Sequence, residues 1–164
     1  CLFSYIQLCF KKILNYLFLN QISNQMPRLK KQVLETFSNP NSSRNYFINM
    51  EIPEFTSLCP LTGQPDFANF ELNYVPDKLC IELKSLKLYM WSYRNKKAFH
   101  EKLTNKILDD IASVIKPNFI SLKGRFYVRG GIFTTITAQD RLKGWIPDEI
   151  VQLPSSMPNK SYQN

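Results

Sequence analysis

The spacing of apolar residues changes several times along the chain, and each change marks an element. Tyr46 to Ile52 (YFINMEI) alternates and predicts a short strand, with Pro53 expected to end it. Phe67 to Val75 (FANFELNYV) alternates again, is rich in aromatics and predicts a second strand, followed by a Pro76-Asp77 turn. In CIELKSLKLYMWSYRN the period shifts. Ile81 and Leu83 alternate with Glu82 and Lys84, whereas Leu86, Tyr89, Met90 and Tyr93 recur at i, i+3, i+4 and i+7, one face of a helix. A second helix is predicted from about Lys97 to Ile115, with the stripe Phe99, Leu103, Ile107, Ile111 and Val114 or Ile115, and with Pro117 as its stop. Phe119–Val128 and Ile132–Ala138 predict two strands around Arg129-Gly130-Gly131, a tight hairpin signal. The order strand, strand, helix, helix, strand, strand makes the chain α+β with an antiparallel sheet.

The intervening segments read differently. Asn39 to Ser43 is a turn cluster, and Thr56–Asp66, with Pro60, Gly63 and Pro65, is expected to be a loop. Residues 1–25 are apolar but carry Lys11 and Lys12 in the middle, too early for an uninterrupted membrane helix and too late for a signal peptide. The first methionine is Met26, so this stretch is expected to be a dispensable extension. The domain is expected to span 26–139, and 140–164, with three prolines and no clear period, to be a loosely packed tail.

Composition narrows the chemistry. With 21 Lys and Arg against 13 Asp and Glu the net charge is +8, which suits nucleic acid, an acidic membrane surface or a polyanionic small molecule. The cations are scattered rather than run together, which disfavours a dedicated nucleic-acid arm. Neither GxGxxG nor GxxxxGK[ST] occurs, so side chains must hold the phosphates of any nucleotide. The four cysteines form no CxxC pair and His100 is the sole histidine, which disfavours structural zinc and a disulfide framework and fits a reducing cytosol.

Four places can carry chemistry. Cys59 lies in a polar, turn-rich stretch seven residues before Asp66. A lone free cysteine is most often a small buried hydrophobe, so this placement leaves both readings open. Lys84 and Lys87 stand three apart where strand gives way to helix and can project into one cleft; equally, they can form a solvated face. His100-Glu101 opens the long helix, where a carboxylate is favoured by the dipole alone. Arg129-Gly130-Gly131 can be no more than a turn.

Together these segments carry a resemblance. EFTSLCPLTGQPDF (54–67), ELKSLKLY (82–89), FHE (99–101) and RGG (129–131) resemble the successive motifs of the QueF family of nitrile reductases, from about Val33 to Thr137. Leu61 departs from the lysine expected there in many relatives. The resemblance implies the tunnelling fold (T-fold), a four-stranded antiparallel sheet backed by two helices in ββααββ order. It implies a homodecamer of two stacked pentamers with active sites between subunits, in the cytoplasm. The implied reaction is the four-electron reduction of 7-cyano-7-deazaguanine to its aminomethyl product, on the route to queuosine in tRNA, with NADPH as cofactor and no metal. Cys59 would be the covalent nucleophile and Asp66 the acid. Glu101 would grip the guanine-like edge, with His100, Glu82, Leu83 and Ser85 as further substrate contacts. Lys84, Lys87, Arg129 and Gly130 match the cofactor contacts. No direct contact with nucleic acid or membrane is expected. Two rivals remain, a zinc-dependent cyclohydrolase of the same fold and a basic RNA-binding module.

Overall fold

The computed structural model describes residues 33–146. The expectations for 1–25 and for the tail beyond 146 lie outside these residues. The described elements are β1 (Thr36–Ser38), β2 (Ile48–Leu58), β3 (Pro65–Val75), β4 (Leu79–Ile81), α1 (Leu83–Trp91), α2 (His100–Ile115), β5 (Phe119–Arg129) and β6 (Ile132–Arg141). Four strands form one sheet in the order β2-β3-β5-β6, every pair antiparallel, while β1 and β4 form a separate pair.

Among the described residues, helices cover one face of the sheet. Phe55, Ala68, Phe70 and Leu72 from the sheet meet Leu103, Ile107, Ile111 and Ile115 from α2 in a single core. Leu86, Tyr89 and Met90 of α1 join it. Each such side chain contributes about 1.5–3 kcal/mol on full burial. The α2 stripe is therefore the predicted one, except at its first member: Phe99 occupies the cap position and is exposed. At the other end, Lys116 turns left-handed ahead of Pro117 and closes the helix.

Three expectations are corrected. Pro53 does not end β2. The strand continues to Leu58 across a register shift between Ile52 and Phe55. β2 is an edge strand, where a residue without an N–H can be accommodated. The expected loop from Thr56 to Asp66 accordingly shrinks to the six residues between Leu58 and Pro65. α1 begins at Leu83 rather than Leu86, because Glu82 caps it: its Oε1 accepts from the Lys84 N–H at 2.8 Å and its Oε2 from the Ser85 N–H at 2.6 Å. Leu83 is exposed rather than part of a strand face.

The hairpin between β5 and β6 turns at Gly130 and Gly131, both at positive φ, as a two-residue connection requires. β6 runs to Arg141, two residues into the stretch expected to be tail. Beyond it, Trp145 packs against the small cluster of Val75 and Phe119, as Phe47 does.

Candidate active site

Cys59 directly follows β2 and is the first residue of the connection to β3. Its backbone N–H donates to the Gln64 carbonyl at 2.8 Å, and the Gly63 N–H donates to the Cys59 carbonyl at 2.9 Å. Gly63 has φ 71°, a conformation that favours glycine. This tight closure turns the loop's donors onto the sulfur. The Thr62 hydroxyl, then the backbone N–H groups of Thr62 and Leu61, with Arg129 as a further donor, draw the half-buried Cys59 thiol down to about 7. The thiolate is thus favoured at neutral pH chiefly by donors of its own turn.

Asp66 lies near the start of β3 and is only 4% exposed. Two cationic or potentially cationic groups meet its carboxylate. Arg129 Nε is 2.7 Å from Oδ1 and His100 Nε2 is 3.4 Å from Oδ2. The Arg129 guanidinium also donates to the Pro65 carbonyl at 3.0 Å, so the end of β5 ties down the strand that carries the acid.

His100 reaches the same place from α2 because the preceding segment is stitched to β2. Leu58 N–H donates to the Lys96 carbonyl at 3.0 Å, and Ala98 N–H donates to the Leu58 carbonyl at 3.2 Å. The residue before Cys59 and the residues before His100 are therefore fixed to each other. The imidazole then stacks on Phe126, with centroids 3.8 Å apart and planes 7° from parallel. Glu101, one residue on, is exposed, and its carboxylate makes no hydrogen bond among the described residues.

Cys59, Asp66, His100 and Arg129 are thus brought together, whereas no contact joins the exposed Glu101 to them among the described residues. The ELKSLK group is not part of this cluster. Glu82 spends both oxygens on its cap, although a carboxylate keeps further acceptor positions. Ser85 is buried and ties α1 to β1, accepting from the Glu35 N–H at 2.9 Å and donating to the Glu82 carbonyl at 2.8 Å. Lys84 and Lys87 are exposed and pair with no carboxylate among the described residues. Leu83 and Lys87 border a groove of about 570 Å³ between α1 and β2, floored by Ile52, Phe55, Leu86 and Met90. That groove has no wall from Cys59, Asp66, His100 or Arg129.

Two participants went unread in the sequence. Thr62 sits in the CPLTG turn, and its position three residues after Cys59, just ahead of a glycine, is the signal that it faces the sulfur. Phe126 is one of many alternating aromatics and carries no signal of its own.

The family model described as QueF-like protein matches residues 65–144. The NADPH-dependent 7-cyano-7-deazaguanine reductase of Nitrosomonas europaea is 64% identical over 120 residues, 73% of this chain and 86% of its own length. The chain belongs to the QueF family. The reductase of the same name from Nitrosococcus oceani is 58% identical over 129 residues, which span 79% of this chain and 100% of that one. Among solved structures, the apo form of the archaeosine synthase QueF-Like matches with a TM-score of 0.53 at 19% identity, covering 66% of this chain and 100% of that chain. That likeness concerns the fold, and the fold of this QueF-family chain is the tunnelling fold: four antiparallel strands backed by two helices.

Proposed function

We propose that the protein reduces the nitrile of 7-cyano-7-deazaguanine to the aminomethyl group, using NADPH, through a covalent thioimidate on Cys59. The observation that carries this reading is a thiol drawn down to about 7 in the same cluster as a buried carboxylate held between Arg129 and His100. A nitrile carbon is a soft electrophile. The Cys59 sulfur attacks it, one π pair moves to nitrogen, and Asp66 delivers the proton that nitrogen takes up, leaving a C–S bond and a C=N–H. His100, in contact with the Asp66 carboxylate, is placed to pass that proton on.

When bound, NADPH supplies the hydrides, two in succession, that carry the adduct to the amine. The residues suit such a cofactor. Lys84 and Lys87 offer exposed ammonium groups one helical turn apart, and the guanidinium of Arg129 keeps donors beyond those used on Asp66 and Pro65. Because Glu82 already occupies the first N–H groups of α1, the phosphates would be held by side chains rather than by the helix end. Gly130, beside Arg129 in the turn, presents backbone without a side chain in the way. Glu101 would hold the guanine-like edge, since a carboxylate accepts two N–H bonds at once. Glu82, Leu83 and Ser85 would complete the substrate contacts from another subunit.

That last point rests on assembly. In one protomer the Cys59 cluster and the ELKSLK group are separate, and among the described residues both outer strands of the sheet, β2 and β6, have no strand partner on one side. Strands of 11 and 10 residues left open in this way are expected to pair with further copies. A ring joined edge to edge, and doubled into a decamer, would bring the two groups together. The product would enter queuosine synthesis in the cytoplasm. No helix among the described residues is long and apolar enough to cross a membrane.

The experiment is direct. Purified protein with 7-cyano-7-deazaguanine and NADPH should consume two reduced nicotinamides per amine formed. No consumption with the nitrile, in a protein that is folded by circular dichroism, would overturn the proposal.

A further inference from the structure

Among the described residues a single buried side-chain polar atom has no hydrogen-bond partner, the hydroxyl of Ser57. Ser57 is completely buried. A buried hydroxyl left unpaired costs about 1–3 kcal/mol, and alanine at the same place would avoid that cost. An orphan of this kind calls for an explanation, either a water or a role that appears only when the protein works.

The register says what lies beside it. Ser57 and Asp66 are direct partners across β2 and β3, and Phe55 and Ala68 are the partners two residues further along. Side chains alternate along a strand, so Ser57 shares a face with Phe55, and Asp66 with Ala68. All four are buried, on the side of the sheet where His100 stacks on Phe126. Directly opposed side chains have Cβ atoms about 4.5–5.5 Å apart, so a turn about χ1 brings the hydroxyl to the carboxylate. Asp66 has room for it. Arg129 meets Oδ1 and His100 meets Oδ2, and each oxygen retains a second lone pair.

We propose that Ser57 is a positioning residue for Asp66, its hydroxyl donating to the carboxylate that remains once Asp66 has given its proton to the nitrile nitrogen. In the substrate-free structure Arg129 and His100 meet the two oxygens of Asp66 and the hydroxyl of Ser57 stands idle. After the transfer the carboxylate carries full charge in a buried place, and a donor already at hand favours the charged form. The hydroxyl thus acts on the step that makes the thioimidate rather than on binding. This inference rests on the proposed roles of Cys59 and Asp66.

The test is adduct formation without NADPH, followed by mass in a single turnover, together with nitrile affinity and the melting temperature of the free protein. Ser57→Ala is expected to slow the adduct about tenfold, the effect of one net hydrogen bond to a charged group. Its nitrile affinity should stay within twofold of the parent, and its melting temperature should be equal or higher, because an orphan has been removed. Ser57→Thr keeps the hydroxyl on a strand that favours β-branched residues, and should restore most of the rate. An alanine variant as fast as the parent would overturn the inference. So would one whose loss of rate follows a loss of affinity or of melting temperature, or a folded threonine variant as slow as alanine. If the parent protein itself forms no adduct, the proposed function fails and this inference falls with it. An adduct in the parent with no effect at Ser57 overturns this inference alone.

Discussion

At the scale of single residues the proposed chemistry turns on how a thiol is made reactive by the donors of its own turn. The donors that surround the Cys59 sulfur come from its own turn, with the Thr62 hydroxyl foremost. Because the folded value is lowered, the thiolate is present above about 7 and disappears as pH falls through that value. Alkylation of the substrate-free protein should therefore rise through a midpoint of about 7. Thr62→Val should move that midpoint upward, toward the ordinary range of a free thiol at roughly 8.5. An unchanged midpoint in the valine variant would remove Thr62 from the account. Asp66 and Glu101 should separate in a different way. Asp66→Asn should slow adduct formation more than it weakens nitrile binding, since the proton is needed in the step itself. Glu101→Gln should mainly weaken binding, by on the order of 1–3 kcal/mol. Single-turnover rates and nitrile affinities measured on both variants decide this, and equal losses in both quantities would show that the two carboxylates do not divide the work.

At the scale of elements, the site is assembled by strand ends and helix starts. β2 delivers Cys59, β3 delivers Asp66, α2 delivers His100 and β5 delivers Arg129. Arg129 therefore differs from the two lysines. Lys84→Ala and Lys87→Ala should raise the Michaelis constant for NADPH and leave the cofactor-free adduct untouched. Arg129→Ala should impair both, because its guanidinium also braces Asp66 and the Pro65 carbonyl. Steady-state kinetics and the single-turnover adduct, run on the same three variants, check this. Stability has its own sensitive point at Gly124. A Cβ there would lie 2.6 Å from Phe70 Cε1, a ring held edge-on between Phe55 and Phe126. Gly124→Ala should cost about 1–3 kcal/mol in chemical denaturation, with the damage centred on the aromatic cluster beneath His100.

The elements also show what could be read from the chain and what could not. The α2 stripe was legible because Leu103, Ile107, Ile111 and Ile115 are spaced for one face and that face meets the sheet. The β5–β6 turn was legible because adjacent glycines are what positive φ selects. The full length of β2 is hidden in the sequence because a proline within a strand is normally a stop, and the strand's edge position, which removes the penalty, is a tertiary fact. The start of α1 was misplaced because Ile81, Glu82 and Leu83 alternate like a strand, whereas Glu82 is the cap and Leu83 is exposed. β1 and β4, three residues each, are too short to show any period. Cys59 and Asp66 stood out through motif resemblance. Their meeting with His100 and Arg129 depends on the parallel bridge between Leu58 and Lys97 and on the β5 register, neither of which leaves a local trace.

At the scale of the whole molecule, a charge of +8 and two sheet edges without a partner among the described residues bear on the proposed assembly. In the proposed assembly the cations serve a polyanionic cofactor and these edges join neighbouring copies. Sedimentation should find a closed oligomer with no monomer at working concentration, and charge substitutions that open the β2 edge should abolish turnover as the ring comes apart. The central claim lies beneath all of this, in the bond formed at Cys59, and one measurement reaches it. The protein is mixed with 7-cyano-7-deazaguanine in the absence of NADPH and analysed by intact mass and peptide mapping. A mass increase equal to one nitrile is expected, located on Cys59, absent from Cys59→Ala and retained in Cys80→Ala. A folded protein that turns over the nitrile yet forms no adduct, or carries it on the buried Cys80, would contradict it.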